Sequence, residues 1–468
     1  MNLGLTDPAD HVGSVTVAIA GVPSGWTLSE GTNNGDGSWT IQASCVSMLS
    51  IASPADYTGA TALEVTMSWT NADGSSGFAR ASDNVEVFAQ GAPVFAWSGE
   101  DHLTGSSGKD LFVFAQPIGH DTIYSFDAAH DQLDLIGYAS FTSFADIGAH
   151  LADDVNGDAV ITLGDGQSIE LHGVHAGALT ENNFVFDQTP TVDNAATMTI
   201  GDGAVLPLSG TIVNTGTIAL NSTGDETDLQ LIEPGATLEG GGRILLSDSD
   251  ANIISGTSSG VTLNNEDNTI SGAGQLGNGE LTLTNAGTID ATGTHALTID
   301  TGSNLVTNSG VLEASGSGGM MVASGIVNSG VLWANGATLT VQGAVSGNGT
   351  ATIDGIGTLD FEASTSANVV FGSGTGSTLK LGDSFHFNGT ISGFGGSDVI
   401  DLANVAAANA SISYHENTAG SGGTLAISDG AQTLELSLLG HYSADNFSIV
   451  PDQLHGTSIT YVPHDLML

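Results

Sequence analysis

Leu281-Thr-Leu-Thr-Asn-Ala-Gly-Thr-Ile289 holds the pattern that decides the fold: apolar and polar residues alternate, an Asn-x-Gly corner intervenes, and the alternation resumes. The same corner occurs as Asn214-Thr-Gly216, Asn308-Ser-Gly310 and Asn328-Ser-Gly330, and Asn285, Asn308 and Asn328 are 23 and 20 residues apart. Apolar triplets lie between them, among them Leu281-Thr-Leu283, Leu297-Thr-Ile299 and Leu339-Thr-Val341. Gly-x-Gly recurs at Gly240/Gly242, Gly272/Gly274 and Gly347/Gly349. Two or three short strands in a period of about 20 residues predict a solenoid, a right-handed parallel β-helix over 191–380. Inward residues of each coil would be buried by the next. Gly and Asn would turn the corners, where left-handed backbone is needed. The Asn side chains could stack from coil to coil as an amide ladder.

Outward from this array the chain keeps a β texture. Its 66 glycines sit with Thr, Ser, Asn and Asp between short apolar runs, so an all-β protein is expected. Residues 1–90 read as a β-sandwich module, with Val15–Ile19, Ser38–Ile41 and Leu63–Trp69 as half-buried strands. Asn34-Gly-Asp-Gly37 and Asn71-Ala-Asp-Gly74 are turn chemistry. Residues 91–190 form a second module and residues 381–468 a fourth segment that echoes it. Cys45 is the only cysteine, so no intrachain disulfide forms, and it is expected to be buried as a small hydrophobe. No apolar run reaches the length of a membrane-spanning helix, and no basic-then-apolar leader opens the chain.

The charge excludes whole classes of partner. There are 51 Asp plus Glu against 4 Lys plus Arg, a formal net charge of -47. Nucleic acid is excluded, because phosphate binding needs Lys and Arg. An anionic membrane surface is excluded on the same ground. Arg80, Lys109, Arg243 and Lys380 can pair with only a few carboxylates. The remainder must stay hydrated or be neutralised by multivalent cations, and calcium is the expected cation because it prefers oxygen ligands.

The densest local motif is Asp101-His-Leu-Thr-Gly-Ser-Ser-Gly-Lys-Asp-Leu-Phe-Val-Phe114, followed by Asp121-Thr-Ile-Tyr-Ser-Phe-Asp127 and Asp131-Gln-Leu-Asp-Leu135. It resembles the glycine- and aspartate-rich nonapeptide of RTX proteins, G-G-x-G-x-D-x-U-x with U apolar, and the calcium module at the C-terminus of serralysin-type proteins. Ser106 replaces the second glycine, and Ser125 stands where the family pattern has Asp. The resemblance implies a parallel β-roll whose Gly-rich turns hold Ca2+. It implies ligands at Asp101, Asp110, Asp121, Asp127, Asp131 and Asp134, with backbone carbonyls of Gly105 and Gly108 completing the 6–8 oxygens calcium takes. Asp153-Asp-Val-Asn-Gly-Asp158 is a further Asp/Asn loop, but it lacks the distal Glu of an EF-hand and reads as a plain turn.

Residues 383–447 repeat the second module in order. Asp383–Phe387 aligns with Asp110–Phe114, Ile391–Phe394 with Ile123–Phe126, and Asp398–Leu402 with Asp131–Leu135. Leu425–Gly430 aligns with Ile161–Gly166, and Asn446-Phe447 with Asn183-Phe184. The last residues, Asp465-Leu-Met-Leu468, resemble the uncleaved signal of type I secretion substrates. Residues 1–90 resemble the immunoglobulin- or cadherin-like repeats of large bacterial surface proteins, and the solenoid resembles the stalks of bacterial adhesins. Such repeats normally come in tandem, so the single copy points to a truncated N-terminus. Together these resemblances imply a secreted, calcium-binding protein of the cell surface or matrix, with surface or matrix polysaccharide as the expected partner beside calcium.

The alternative is a carbohydrate-active β-helix enzyme or its binding accessory. A lyase or uronate epimerase would need cations, and only Arg243 and Lys380 lie in 191–380. A hydrolase would need paired carboxylates; Glu233, Glu239, Asp248, Asp250, Glu266, Asp267 and Asp290 are candidates, and spacing selects no pair. No H-E-x-x-H or G-x-S-x-G motif is present, and the histidines are scattered. Trp26, Trp39, Trp69, Trp97 and Trp333 are either core residues or sugar platforms. The expectation is a protein that is not an enzyme.

Overall fold

The computed structural model describes residues 1, 3–372, 374, 376–452 and 456–462, and it is nearly all β, with 49% strand and 5% helix. The chain divides into two compact units, Met1–Ala236 and Thr237–Leu468. Among the described residues no helix is long and apolar enough to cross a membrane. The segment Asp465-Leu-Met-Leu468 lies outside the described residues.

The first unit opens with an antiparallel sheet. Val15–Ala20 lies between Trp39–Ala43 and Thr58–Thr70, and the last pairs with Ser76–Val87. Strand alternation puts Val15, Val17, Ile19, Ile41, Leu63 and Val65 on the buried face, with Trp26 against them. This sheet is hydrogen-bonded directly to the coils that follow. Thr58–Ala60 pairs in parallel with Met198–Ile200, and a Cβ on Gly59 would lie 1.8 Å from the Thr199 carbonyl oxygen. Asn84 also exchanges two hydrogen bonds with the backbone of Val205, both 2.8 Å.

Residues 93–185 coil between two parallel sheets. Pro93–Phe95, Leu111–Val113, Gln132–Asp134 and Phe184–Val185 make one sheet; His102–Thr104, His120–Tyr124 and Gln167–Leu171 make the other. Phe112, Phe114, Ile123, Leu133, Leu135, Ile169 and Leu171 fill the space between them. Strands Leu151–Asp153 and Ala159–Gly164 add antiparallel onto Gln167–Leu171. Wider coils then begin: Thr191–Asn194 pairs in parallel with Thr211–Asn214, and Thr197–Ile200 with Thr217–Leu220.

The second unit is a parallel β-solenoid with three strands in a coil. Thr282–Asn285, Thr288–Ala291 and Leu297–Ile299 make one coil; Val306–Asn308, Val311–Ala314 and Met320–Val322 stack on it in register. Inward rows such as Ile270, Ile289, Leu312 and Leu332 are fully buried. Each such side chain contributes about 1.5–3 kcal/mol of burial free energy. The amide ladder expected from the corners is present. Asn265 donates to Asn285 (2.8 Å), Asn285 to Asn308 (2.9 Å) and Asn308 to Asn328 (2.8 Å). In the first unit Asn194 donates to Asn214 in the same way, at 2.8 Å. The corner glycines have their own cause: a Cβ on Gly310 would stand 2.0 Å from the Gly287 carbonyl oxygen.

Residues 390–447 share an element order with residues 120–184. Thr390–Ser392 and Val399–Leu402 correspond to His120–Tyr124 and Gln132–Asp134. An antiparallel meander follows in each segment and returns in parallel to its first strand, Ile391 beside Leu438 and Ile123 beside Leu171. One alignment shifts. Ser384–His386 forms a 3-10 turn, whereas Leu111–Val113 is a strand. The strand that pairs with Val399–Leu402 as Leu111–Val113 pairs with Gln132–Asp134 is Thr378–Leu381, so Ser377, not Asp383, stands in the place of Asp110.

Candidate functional site

Four of the sequence-predicted ligands, Asp101, Asp110, Asp121 and Asp131, form two ladders between the coils of 93–185. The Asp101 N–H donates to Asp121 Oδ1 at 3.1 Å, and the Asp110 N–H donates to Asp131 Oδ1 at 2.9 Å. Each carboxylate also tends its own turn. Trp97 N–H donates to Asp101 Oδ2 (2.9 Å), Ser106 N–H to Asp110 Oδ2 (2.5 Å) and Asp127 N–H to Asp131 Oδ2 (2.8 Å). These three bonds span four residues, the reach of an aspartate closing a tight turn. Asn183 continues the second ladder, donating to the Asp131 and Ala128 carbonyl oxygens.

The ladders differ in what remains unsatisfied. Both carboxylate oxygens of Asp110 and of Asp131 accept hydrogen bonds from the protein. Asp127 is exposed and bonded to His130 Nδ1 at 2.7 Å, which with the Ala129 N–H holds its carboxyl below the usual range. Gly105 donates to the Tyr124 carbonyl oxygen at 2.9 Å, and a Cβ there would meet the Ser125 carbonyl oxygen at 2.8 Å. Gly108 donates to Ser106 Oγ. On the other ladder Asp121 is buried and its Oδ2 has no hydrogen-bond partner. Burial, with Asp101 alongside, pushes Asp121 up to about 8; burial pushes Asp101 to about 6. Asp134 is fully buried on Gln132–Asp134 with neither oxygen bonded, and burial takes it to about 6.

Sequence reasoning missed two acids: Glu86, which lies near Asp101 of the first ladder, and Asp83, which lies near Glu86. Glu86 is pushed up to about 8 by burial and by the nearby Asp101 charge, and Asp83 to about 6 by burial. Both come from Ser76–Val87, far from the motif in sequence, and no local signal connects them. Glu86 and Asp121 thus each feel the Asp101 charge, with no ion pair to Lys or Arg among the described residues. Such acids need protons or a cation at neutral pH.

Asp158, Glu170 and His172 are the one group among the described residues in which three ligating side chains offer atoms all within 4.8 Å. The ladder acids form no such group. His172 Nδ1 lies 3.2 Å from Asp158 Oδ2, and the Gly173 N–H donates to Asp158 Oδ1 at 2.8 Å. Burial, then Asp158 and Asp154, raises Glu170. The antiparallel pairing of Ala159–Gly164 with Gln167–Leu171 brings these residues together. In the preceding Asp/Asn loop Asp154 Oδ1 accepts from the N–H groups of Asn156 and Asp158. In the solenoid, Asp248 and Asp267 likewise accept from backbone N–H groups, of Thr294 and His295 and of Gly241. No protein-family model matches the chain, and no curated protein matches it.

Proposed function

We propose that this chain is an extracellular structural and attachment protein, not an enzyme, in which calcium completes the acidic ladder of an RTX-like β-roll. The observation that carries the reading is Asp121: buried, with one carboxylate oxygen accepting from the Asp101 N–H of the preceding coil and the other unpartnered. Leaving such an oxygen unsatisfied costs about 1–3 kcal/mol or more when it is charged. Asp121 and Asp101 are the residues that would hold the ion; their side chains and those of Glu86 and Glu100 do not converge as a set, so backbone carbonyl oxygens would have to complete the coordination. Calcium would supply charge neutralisation and oxygen coordination there. Asp110, Asp127 and Asp131 would act beside it as turn-closing acceptors. The shared element order of 120–184 and 390–447 supports 381–468 as a second copy of the module, and the antiparallel sheet of 15–87 supports a sandwich-like N-terminal module.

The same chemistry fits export. In low-calcium cytosol the uncompensated carboxylates oppose compaction, and outside the cell cation binding becomes folding free energy. Melting followed by circular dichroism, in chelator and across a calcium titration, tests the proposal. A rise in Tm with calcium that disappears in Asp121→Asn is expected. An identical melt in chelator and in millimolar calcium refutes it.

A further inference from the structure

The outward face of the solenoid carries one row whose chemistry coil packing does not require. Asp290, Glu313 and Trp333 are register partners on consecutive parallel strands. Their backbones are therefore about 4.8 Å apart, and their side chains leave the sheet on the same side. Asn335 and Asp354, partners of each other two residues further along their strands, form the adjoining row. Side-chain bonds fix the group. Ser315 Oγ donates to Asp290 Oδ1 at 2.8 Å, Asn335 Nδ2 to Glu313 Oε1 at 2.8 Å, and Trp333 Nε1 to Asp354 Oδ2 at 2.9 Å.

Trp333 is the informative member. It is the only tryptophan after residue 97, and it stands at an outward position between Leu332 and Ala334, both fully buried. Its row continues through Ser271 before Asp290 and Thr352 after Trp333 to the aliphatic Leu245 and Val370, so Trp333 is the one aromatic side chain among these register partners. A half-exposed indole held by its N–H, beside two carboxylates and an amide, offers an apolar plate next to fixed hydrogen-bonding groups. Carboxylates accept from paired hydroxyls, an amide both donates and accepts, and an indole face takes the C–H face of a pyranose. The net charge of -47 and the acids of the row itself repel an anionic chain.

We infer that the row Asp290–Glu313–Trp333, with Asn335 and Asp354 beside it, is a binding face for an uncharged oligosaccharide. It gives the attachment reading a ligand class and rests on that reading for its purpose, although the binding itself does not need calcium. Burial raises the carboxyls of both Asp290 and Glu313, Glu313 further through Asp290, which keeps a hydrolytic role within the reach of the test.

The test is affinity electrophoresis of the full chain through gels containing hydroxyethyl cellulose, amylose, galactomannan or dextran, with alginate as the anionic control. Retardation by at least one uncharged polymer and none by alginate is expected. Trp333→Ala should weaken it roughly tenfold, the scale of one stacking contact. Trp333→Phe should keep most of it, and both variants should retain the wild-type circular dichroism spectrum. Four unretarded lanes, or a Trp333→Ala chain that migrates like wild type, overturn the inference. Reducing ends released by wild type but not by Glu313→Gln would replace binding with hydrolysis. Absent retardation beside an intact calcium response removes this face alone; retained retardation without a calcium response removes the calcium reading alone.

Discussion

The side-chain amide of Asn285 donates to the side-chain oxygen of Asn308 on the next coil at 2.9 Å, and both residues are fully buried. Asn308 hands the same bond on to Asn328 at 2.8 Å. Each amide is donor to one neighbour and acceptor from the other, a role that Asp, Leu or Ser cannot fill at this length. Asn308→Ala would strand the Asn285 donor and the Asn328 acceptor and open a small void. A loss of about 2–5 kcal/mol is expected in urea unfolding. A loss below about 0.5 kcal/mol would mean that water replaces the ladder at no cost.

Gly310 tests the coil spacing. Its missing Cβ leaves room for the Gly287 carbonyl oxygen, which a methyl group would approach to 2.0 Å. Parallel strands cannot separate at one point without losing neighbouring bonds, so Gly310→Ala should cost about 3 kcal/mol or more. Gly148→Ala, where nothing lies within 4 Å, should change stability by less than about 0.5 kcal/mol. Equal effects of the two in parallel denaturant melts would show that coil contact is not what selects Gly310.

The buried carboxyls set the sign of a pH dependence. Asp83, Asp101 and Asp134 are raised to about 6, and Asp121 and Glu86 to about 8. A raised folded-state value means that the folded chain holds more protons than the unfolded one. This stabilisation is complete below the ordinary carboxylate value near pH 4 and is lost as pH rises through about 6 and then about 8. In chelator, the transition of Met1–Ala236 should move to lower temperature between pH 5 and 8. Asp121→Asn should flatten that slope. A Tm that climbs across this interval contradicts the assignment.

Lys380 answers for the opposite sign. Its Nζ lies 2.6 Å from Asp360 Oδ2, and Asp401 is the register partner of Lys380 on the following strand. The bond to Asp360 raises Lys380, and the Lys380 charge offsets part of the burial that raises Asp401. Lys380→Met should cost about 1–3 kcal/mol at pH 7, between the values of surface and buried pairs. The cost should shrink toward pH 4, because burial raises Asp401 and a protonated Asp401 no longer needs the lysine charge. A pH-independent cost would assign the effect to packing of the lysine stem.

What could be read in the sequence follows the range of each interaction. Asn285, Asn308 and Asn328 recur in a fixed local frame, so corners, ladder and solenoid were all legible. The corner aspartates were legible for the same reason, since Asp101 and Asp121 are one coil apart. Glu86 was not, because strand pairing across the first sheet brings it to Asp101. Glu170 and His172 meet Asp158 through a hairpin whose register the sequence does not state. The shared order of 120–184 and 390–447 is visible in sequence, but Ser377 carries no carboxylate to mark the position of Asp110, whereas the nearby Asp383 does. Asp290 and Trp333 stand out in sequence only as separate residues. Their alignment with Glu313 depends on coils of 23 and then 20 residues, and that irregularity hides a common row.

The pairing of Thr58–Ala60 with Met198–Ile200 has a consequence for self-association. A parallel strand with a bare flank is a template on which another molecule can grow, and stacked coils present several such flanks at once. In the first unit the flank of Thr197–Ile200 is taken by the long N-terminal strand, where Gly59 permits close approach. In the second, Val399–Leu402 is closed by Thr457–Tyr461 running the opposite way, a direction that cannot continue a parallel stack. Local strands thus occupy seams through which the coils would otherwise recruit copies of themselves, and a chain this rich in β-structure is guarded at both places against fibre formation.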